Sequence, residues 1–429
     1  MRRRYAWVIA LCGLALICDR GASASDLAGR IETLFGKVGI EGVNVDSKGT
    51  PHNAHFGSES FKTFSLLVKN LSATAADFPA VSTVPGLTYR LDPKLEVFVP
   101  ASDNLGPVFV ERASTLGRGK FDVGFSYVFV DFDKLEGQDL DRLTLRGLQH
   151  NDCCAHPPDS SPGVPAFEND FAEVFFDKFT LQSHVFAFTG TYGLTDDWDV
   201  NLVVPVVYTR LDVSARAHIN NVAGDHTFTE TGTTDESRSV SDDKLGIGDV
   251  QLRTKYHFLE SNGFGMGGGL ALRLETGNED NFQGIGDTTL TPFAVVSQKL
   301  GNFDLHASSG IEVNFANSDR SRVRYAAGVT AEFFTGAALL VDVIGSSNLQ
   351  NERLSVDVPQ FVNKPGTSEF STGTKRFSQE VSTDIVDVVP GLKFALGENV
   401  IGFVEFFVPI NDDGLRTNFT PAGGIQATF

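Results

Sequence analysis

The chain has 429 residues, with 54 acidic and 35 basic side chains and a formal charge of −19. So acidic a balance argues against a nucleic-acid partner, and no run of about 20 apolar residues offers a transmembrane helix. Four cysteines, two of them close to the N-terminus, are too few for a disulfide framework.

The N-terminus reads as an export signal. Arg2, Arg3 and Arg4 form a cationic start, Ala6 to Cys18 an apolar stretch, and Ala22-Ser23-Ala24 a small-residue cleavage site. This predicts a signal peptide over 1–24, with Ser25 beginning the mature chain. Its removal takes away four arginines and one aspartate, which moves the formal charge from −19 to −22. Such a charge suits external loops set among lipopolysaccharide phosphates. Ser25 or Asp26 then offers a cap, and Leu27, Ile31, Leu34 and Phe35 recur at helical spacing, predicting a short amphipathic helix within 25–40. Strand-like parts at 55–71 and 87–99 are broken by Pro, Gly and Ser. Two readings of the 25–116 extension stay open: a periplasmic segment or early strands, and a plug folded into a barrel lumen.

From Gly117 a period of two takes over, the repeat of a strand with one face in water and one in an apolar medium. Phe121, Val123, Phe125, Tyr127 and Phe129 alternate with Asp122, Gly124 and Ser126. In the next strand, about 174–192, Phe179, Leu181, Val185 and Ala187 are expected on the lipid side. Lys178, Thr180, Gln182 and His184 are expected opposite them. Trp198, Val200, Leu202, Val204, Val206 and Tyr208 give an apolar stripe with an aromatic at each end. In 249–258, Asp249, Gln251, Arg253, Lys255 and His257 alternate with Val250, Leu252, Tyr256 and Phe258. A Glu260-Ser261-Asn262-Gly263 turn returns the chain to Leu270, Leu272 and Leu274, opposed to Arg273 and Glu275. Similar hairpins follow to Ile425, Ala427 and Phe429, with Phe in place of most of the Tyr and Trp that usually edge such strands.

Short turns near 195, 261, 301, 336 and 398 all fall at one end of these strands. The long polar loops, 133–172, 217–245 and 347–382, fall at the other. That sorting predicts an all-β protein: a transmembrane antiparallel β-barrel of about 12 strands over 117–429 (alternatively 14), with the short turns periplasmic. The expected address is the bacterial outer membrane. The expected partners are its lipid and lipopolysaccharide, and the assembly machinery that reads a terminal aromatic strand.

Three stretches carry a family resemblance: 243–258 (DKLGIGDVQLRTKYHF), 191–196 (TYGLTD) and Val204-Pro205. They are similar to the outer-membrane transporter family named for the meta-pathway of phenol degradation. In that family a "tygLtd…vPv" hairpin precedes a "GlGDv.l..ky.f" strand. The resemblance covers roughly residues 175–429. It implies a barrel, akin to long-chain fatty-acid channels, that passes small hydrophobic or aromatic compounds across the outer membrane.

With the polar face turned inward, the candidate lumen-lining residues are Asp249, Arg253, Lys255, His257, Arg273, Glu275, His306, Glu312, Lys393 and Glu405. They form either a charged permeation path or an ion-pair network filling a narrow barrel. Their mixed signs on adjacent strands favour the network. Cys153-Cys154, flanked by His150, Asp152 and His156, reads as a loop pair, since zinc wants spaced cysteines. Asp225, Glu230, Asp235, Glu236, Asp242 and Asp243 lack the EF-hand spacing for calcium and read as solvated loop charge. No metal or cofactor is expected. An outer-membrane phospholipase would need Ser and His on the lipid face, whereas His184, His257 and His306 are expected in the lumen and no G-x-S-x-G occurs. No enzyme is expected. The function that follows is passive uptake of small apolar or aromatic solutes. The alternative is a non-transporting barrel acting in structure or adhesion through its external loops.

Overall fold

The computed structural model describes residues 26–35, 40–42, 62–77, 82–83, 89–92, 97–100, 105–149, 171–220, 226–228, 231–334, 336–350, 352–363, 370–381, 384–397 and 399–429. The export signal and the Cys153-Cys154 motif lie outside the described residues. The alternating stretches form the twelve strands of a closed wall. They are β1 (Phe121–Phe132), β2 (Phe171–Thr195), β3 (Trp198–Asn220), β4 (Gln251–Ser261), β5 (Phe264–Arg273) and β6 (Thr289–Leu300). The second half comprises β7 (Phe303–Asn314), β8 (Arg322–Phe334), β9 (Ala337–Asn348), β10 (Ile385–Ala395), β11 (Val400–Pro409) and β12 (Thr420–Thr428). Each pairs antiparallel with the next, and β12 pairs with β1, so the wall has no open edge. At the seam Phe121 N–H donates to Phe429 O at 3.0 Å, and Phe429 N–H returns a bond to Phe121 O at 2.7 Å.

The short turns are linked side by side around one rim. His257 N donates to Asp197 O, Lys299 N to Gly263 O, Glu332 N to Asn302 O, Ala395 N to Gly336 O and Thr428 N to Asn399 O. In the β4–β5 turn Asn262 and Gly263 both adopt positive φ, 51° and 77°, the geometry a two-residue hairpin requires. This is the periplasmic rim, and its outer face carries exposed Phe121, Phe258, Phe303, Phe334 and Phe429 beside Tyr192, Trp198 and Tyr256. Phenylalanine therefore supplies most of this girdle. Ten residues further along β3, Tyr208 meets His184 and, through it, Tyr127 and Phe129 in a second aromatic patch. Ten residues at ~3.3 Å, on a strand tilted about 45°, rise about 23 Å, which matches an apolar band about 25 Å tall.

Three expectations are corrected beyond that band. First, 217–245 is not a loop: β3 runs on to Asn220 and Asp235–Ile247 pairs along it. Likewise 133–172 contains the short strand Thr144–Gln149, and 347–382 contains the hairpin Glu352–Asn363 with Phe370–Val381. A strand standing in water has no lipid to face, so it loses the apolar alternation that marks a membrane strand. Second, the faces of β2 are reversed. Phe179, Leu181 and Val185 are buried inward, while Lys178 and Asp177 are exposed and His184 packs in the outer aromatic patch. Above the bilayer the outer face is the wet one and the inner face packs on protein, so the same alternation takes the opposite sense. Third, 62–75 is helical, not strand-like: Leu67, Leu71 and Ala75 recur at helical spacing and are buried.

The N-terminal helices pack into this extracellular extension. Helix α1 (Leu27–Glu32) is capped by Asp26, whose side chain accepts from Gly29 N at 2.6 Å. It and α2 (Lys62–Ala75) bury Leu27, Ile31, Phe35, Leu67 and Leu71 in one cluster with Leu211, Val213, Ala215 and Ala217 of β3.

Candidate functional site

The inner segment 105–116 crosses the barrel interior and touches strands on all sides of it. Phe109 packs edge-on against Phe407 and Phe403 of β11, with ring centroids at 4.9 and 6.2 Å. Lys393 of β10 donates to Gly106 O and Pro107 O, at 3.1 and 3.2 Å. Ala113 N donates to Ser297 Oγ of β6 at 2.9 Å, and Leu116 N to Asp199 Oδ2 of β3 at 2.9 Å. A mixture of apolar and polar ties thus holds the segment against the wall.

Two carboxylates of this N-terminal region carry most of its charge contacts. Glu111 accepts from Thr83 N (2.8 Å), Thr83 Oγ1 (2.9 Å) and Ser82 Oγ (3.2 Å), and it pairs with Arg253 and with Lys255 Nζ (3.4 Å) of β4. Burial alone would raise its pKa. The charges of Arg253 and Lys255 and the Thr83 bonds outweigh that and hold it at about 2. Asp77, just past α2, accepts hydrogen bonds from Arg273 of β5 (3.2 Å) and Arg324 of β8 (2.6 Å), and it forms an ion pair with Arg322 of β8 at 2.8 Å. Burial opposes ionisation here as well, but three guanidinium groups keep this carboxyl far below the ordinary range.

The wall adds its own partners. Asp249 pairs with Arg273 at 2.9 Å, and Glu312 takes Arg322 at 2.8 Å and Arg324 at 2.5 Å. On β4, β5 and β8 this makes a basic stripe of five side chains. Further along the wall, Asp342 of β9 and Glu405 of β11 are both fully buried on the two strands that flank Lys393 of β10. A cavity of about 170 Å³ lies beside the basic stripe, bounded by Phe109, Phe293, Ser308, Arg253, Arg273 and Arg324. Room for the Phe293 ring comes from Gly269, where a Cβ would fall 2.7 Å from it. A smaller cavity of about 90 Å³ lies above, lined by Val128, Val130, Phe132, Phe407 and Leu415 among others.

Of the ten candidate lumen residues, nine are on the inner face. Asp249, Arg253, Lys255, Arg273, His306, Glu312, Lys393 and Glu405 are buried there, and His257 sits at the periplasmic rim, its Nδ1 4.0 Å from Asp197. Glu275 is a correction: it lies past the end of β5, exposed in the following loop, because the alternation stops at Arg273. His184 is another, being on the outer surface with Nδ1 2.8 Å from Tyr127 Oη. Asp77, Glu111, Arg322, Arg324 and Asp342 were missed. The two arginines stand two apart in R-V-R, which is itself a strand-face signal. Asp342 is a lone acid within L-L-V-D-V-I, the mark of an inward position. Asp77 and Glu111 sit in a stretch with no period to place them. Asp235, Glu236, Asp242 and Asp243 lie on a strand, and Asp242 meets Arg30 at 3.1 Å and Lys244 at 3.5 Å. Asp225 and Glu230 lie outside the described residues.

A closed antiparallel wall, apolar outside and charged within, with girdles about one bilayer apart, defines a bacterial outer-membrane β-barrel. The chain belongs to the family described as "Putative MetA-pathway of phenol degradation", whose model matches residues 168–405. Among solved structures it is similar to the COG4313 outer membrane channel from Pseudomonas putida F1, at 13% identity and a TM-score of 0.44, covering 74% of this chain and 98% of that one. It is also similar to the NanC porin (9% identity, TM-score 0.33, 57% of this chain and 93% of that one). A third is a Pseudomonas aeruginosa FadL homologue (10% identity, TM-score 0.30, 73% and 90%). No curated protein matches the chain.

Proposed function

We propose that this protein is an outer-membrane channel for passive uptake of small hydrophobic or aromatic compounds, with the inner segment 105–116 as its plug. The observation that carries the reading is that the plug lies against a ring-sized cavity without being part of the wall. A barrel built only for strength or adhesion has no use for a noncovalent segment flanked by a cavity of about 170 Å³. That volume is close to the roughly 150 Å³ of a cavity known to accept benzene. Phe109 and Phe293 offer ring faces within it, and the family description, which concerns phenol degradation, points to the same class of solute.

The test is uptake of radiolabelled phenol by cells whose lipopolysaccharide leaflet is intact, with and without the protein. Saturable uptake that requires the folded barrel is expected. Uptake no faster than in cells lacking the protein, with the barrel folded and surface-exposed, would overturn the reading and favour an adhesive or structural role for the extracellular extension.

A further inference from the structure

The basic stripe is completed by acids from the N-terminal region. Its five cations are Arg253 and Lys255 on β4, Arg273 on β5, and Arg322 and Arg324 on β8. Among the described residues the wall supplies three carboxylates beside them, Asp249, Glu312 and Asp199, the last opposite Lys255 on β3, which leaves two positive charges to be met. The other two carboxylates, Asp77 and Glu111, come from the N-terminal region and meet them. Buried cations without anions are costly, so the stripe cannot release these carboxylates unless another anion replaces them. We propose that the solute is a small aromatic acid, and that Glu111 occupies its carboxylate position until it arrives. This deepens the uptake reading above and rests on it.

Cavity and charge agree on the class of ligand. Guanidinium groups present a planar fork that fits a carboxylate, and three of them, Arg253, Arg273 and Arg324, border the cavity. The same cavity has Phe109 and Phe293 for a ring and Ser308 for a ring substituent. Its volume of about 170 Å³ admits one ring and excludes long acyl chains or nucleotides. A neutral hydrocarbon could fill the space, but it would leave the arginines with nothing in exchange for Glu111. An aromatic acid exchanges one carboxylate for another beside Arg253, so that guanidinium keeps an anionic partner when Glu111 leaves it. A ligand shifts an equilibrium only through its different affinity for the two states. Here the undocked state binds the acid and the docked state is already filled.

The experiment uses the full mature chain, with benzoate and benzyl alcohol as probes that share a ring and differ in charge. Binding is measured by titration calorimetry in detergent, and opening by single-channel recording in planar bilayers. Benzoate is expected to bind saturably and raise the frequency of opening, and benzyl alcohol to do neither at equal concentration. Glu111→Gln removes a competitor and should tighten benzoate binding at least about tenfold, while Arg324→Gln should weaken it. Heat-modifiable migration on gels verifies that each variant barrel is folded, and the two probes compared on the unmodified protein need no variant at all. Equal responses to benzoate and benzyl alcohol, or no gain in benzoate affinity from a folded Glu111→Gln protein, would overturn the aromatic-acid assignment while leaving uptake standing. A folded channel that neither opens to nor transports any aromatic solute would overturn the uptake reading itself.

Discussion

Replacing Asp77 by Asn is the most direct way to loosen the N-terminal region without touching the wall. Its carboxylate meets Arg273, Arg322 and Arg324 at 3.2, 2.8 and 2.6 Å, and its side chain is only 4% exposed. Removing one partner of a buried ion pair costs about 3–5 kcal/mol when the other partner is left alone. Here the arginines are not left alone. Arg273 keeps Asp249, and both Arg322 and Arg324 keep Glu312. The amide also retains one carbonyl oxygen as an acceptor. The loss should therefore fall below that range, at about 2–3 kcal/mol. At 1.4 kcal/mol per factor of ten, this shifts the docked–undocked equilibrium by about 30–150-fold. Single-channel open probability reads that equilibrium directly. The increase should persist between 0.1 and 1 M KCl, because salt screens exposed charges far more than buried ones. A folded Asp77→Asn barrel whose open probability changes less than about threefold would show that these pairs do not hold the plug, and that its apolar contacts do.

Acid should have the same effect late and in one direction. Glu111 ionises at about 2 in the docked state against an ordinary 4.5, so its stabilisation, about 3 kcal/mol, is fully present above 4.5 and is lost as pH falls toward 2; conductance recorded from pH 7 down to 3 should stay flat to about pH 5 and then rise. Leu252→Arg on the outer face, where Leu252 is 46% exposed to the bilayer, should lower barrel stability by about 2–4 kcal/mol in urea unfolding. The same substitution costing under about 0.5 kcal/mol would place that residue away from lipid. Deleting Phe429 removes both hydrogen bonds it shares with Phe121 at the seam, so folded protein in outer-membrane fractions should drop severalfold on heat-modifiability gels.

The wall was legible because the bilayer imposes one rule on every strand that crosses it. Odd and even positions of β1, β7, β10 and β11 sort as the alternation predicts, with Leu305, Leu392 and Val404 exposed outward and His306, Lys393 and Glu405 buried inward. The rule stops at the girdle. Above it β2 obeys the ordinary rule of soluble sheets, apolar inward, so Phe179 and Leu181 were read as facing lipid when they are buried in the apolar interior cluster. The sequence of β2 is apolar at both parities near this crossover, and bulges at Phe176/Lys178 and Gly193/Thr195 shift its register, which removes the local cue. The plug was illegible for a different reason. Asp77, Glu111 and Arg112 lie in described stretches inside the barrel, whose order comes from hydrogen-bond partners up to 287 residues away in sequence. No period of its own could reveal them.

The two parts of the N-terminal region are fastened by different forces, and this bears on which of them moves. Residues 27–75 bury Leu27, Ile31, Phe35, Leu67 and Leu71 against the extracellular wall. At about 1.5–3 kcal/mol for each large apolar side chain, that contact is worth on the order of 10 kcal/mol, and separating it would bare a broad apolar surface to water. Residues 105–116 bury a comparable set, Leu105, Val108, Phe109, Val110 and Leu116, and add polar ties to the wall through hydrogen bonds and ion pairs. Polar ties can be exchanged one for one with water or a solute anion, whereas apolar contacts cannot. The helices therefore serve as an anchor at the extracellular end, and the inner segment is the part that a charged solute can loosen. A channel opened this way keeps its plug tethered, and redocking needs only the departure of the solute from the basic stripe.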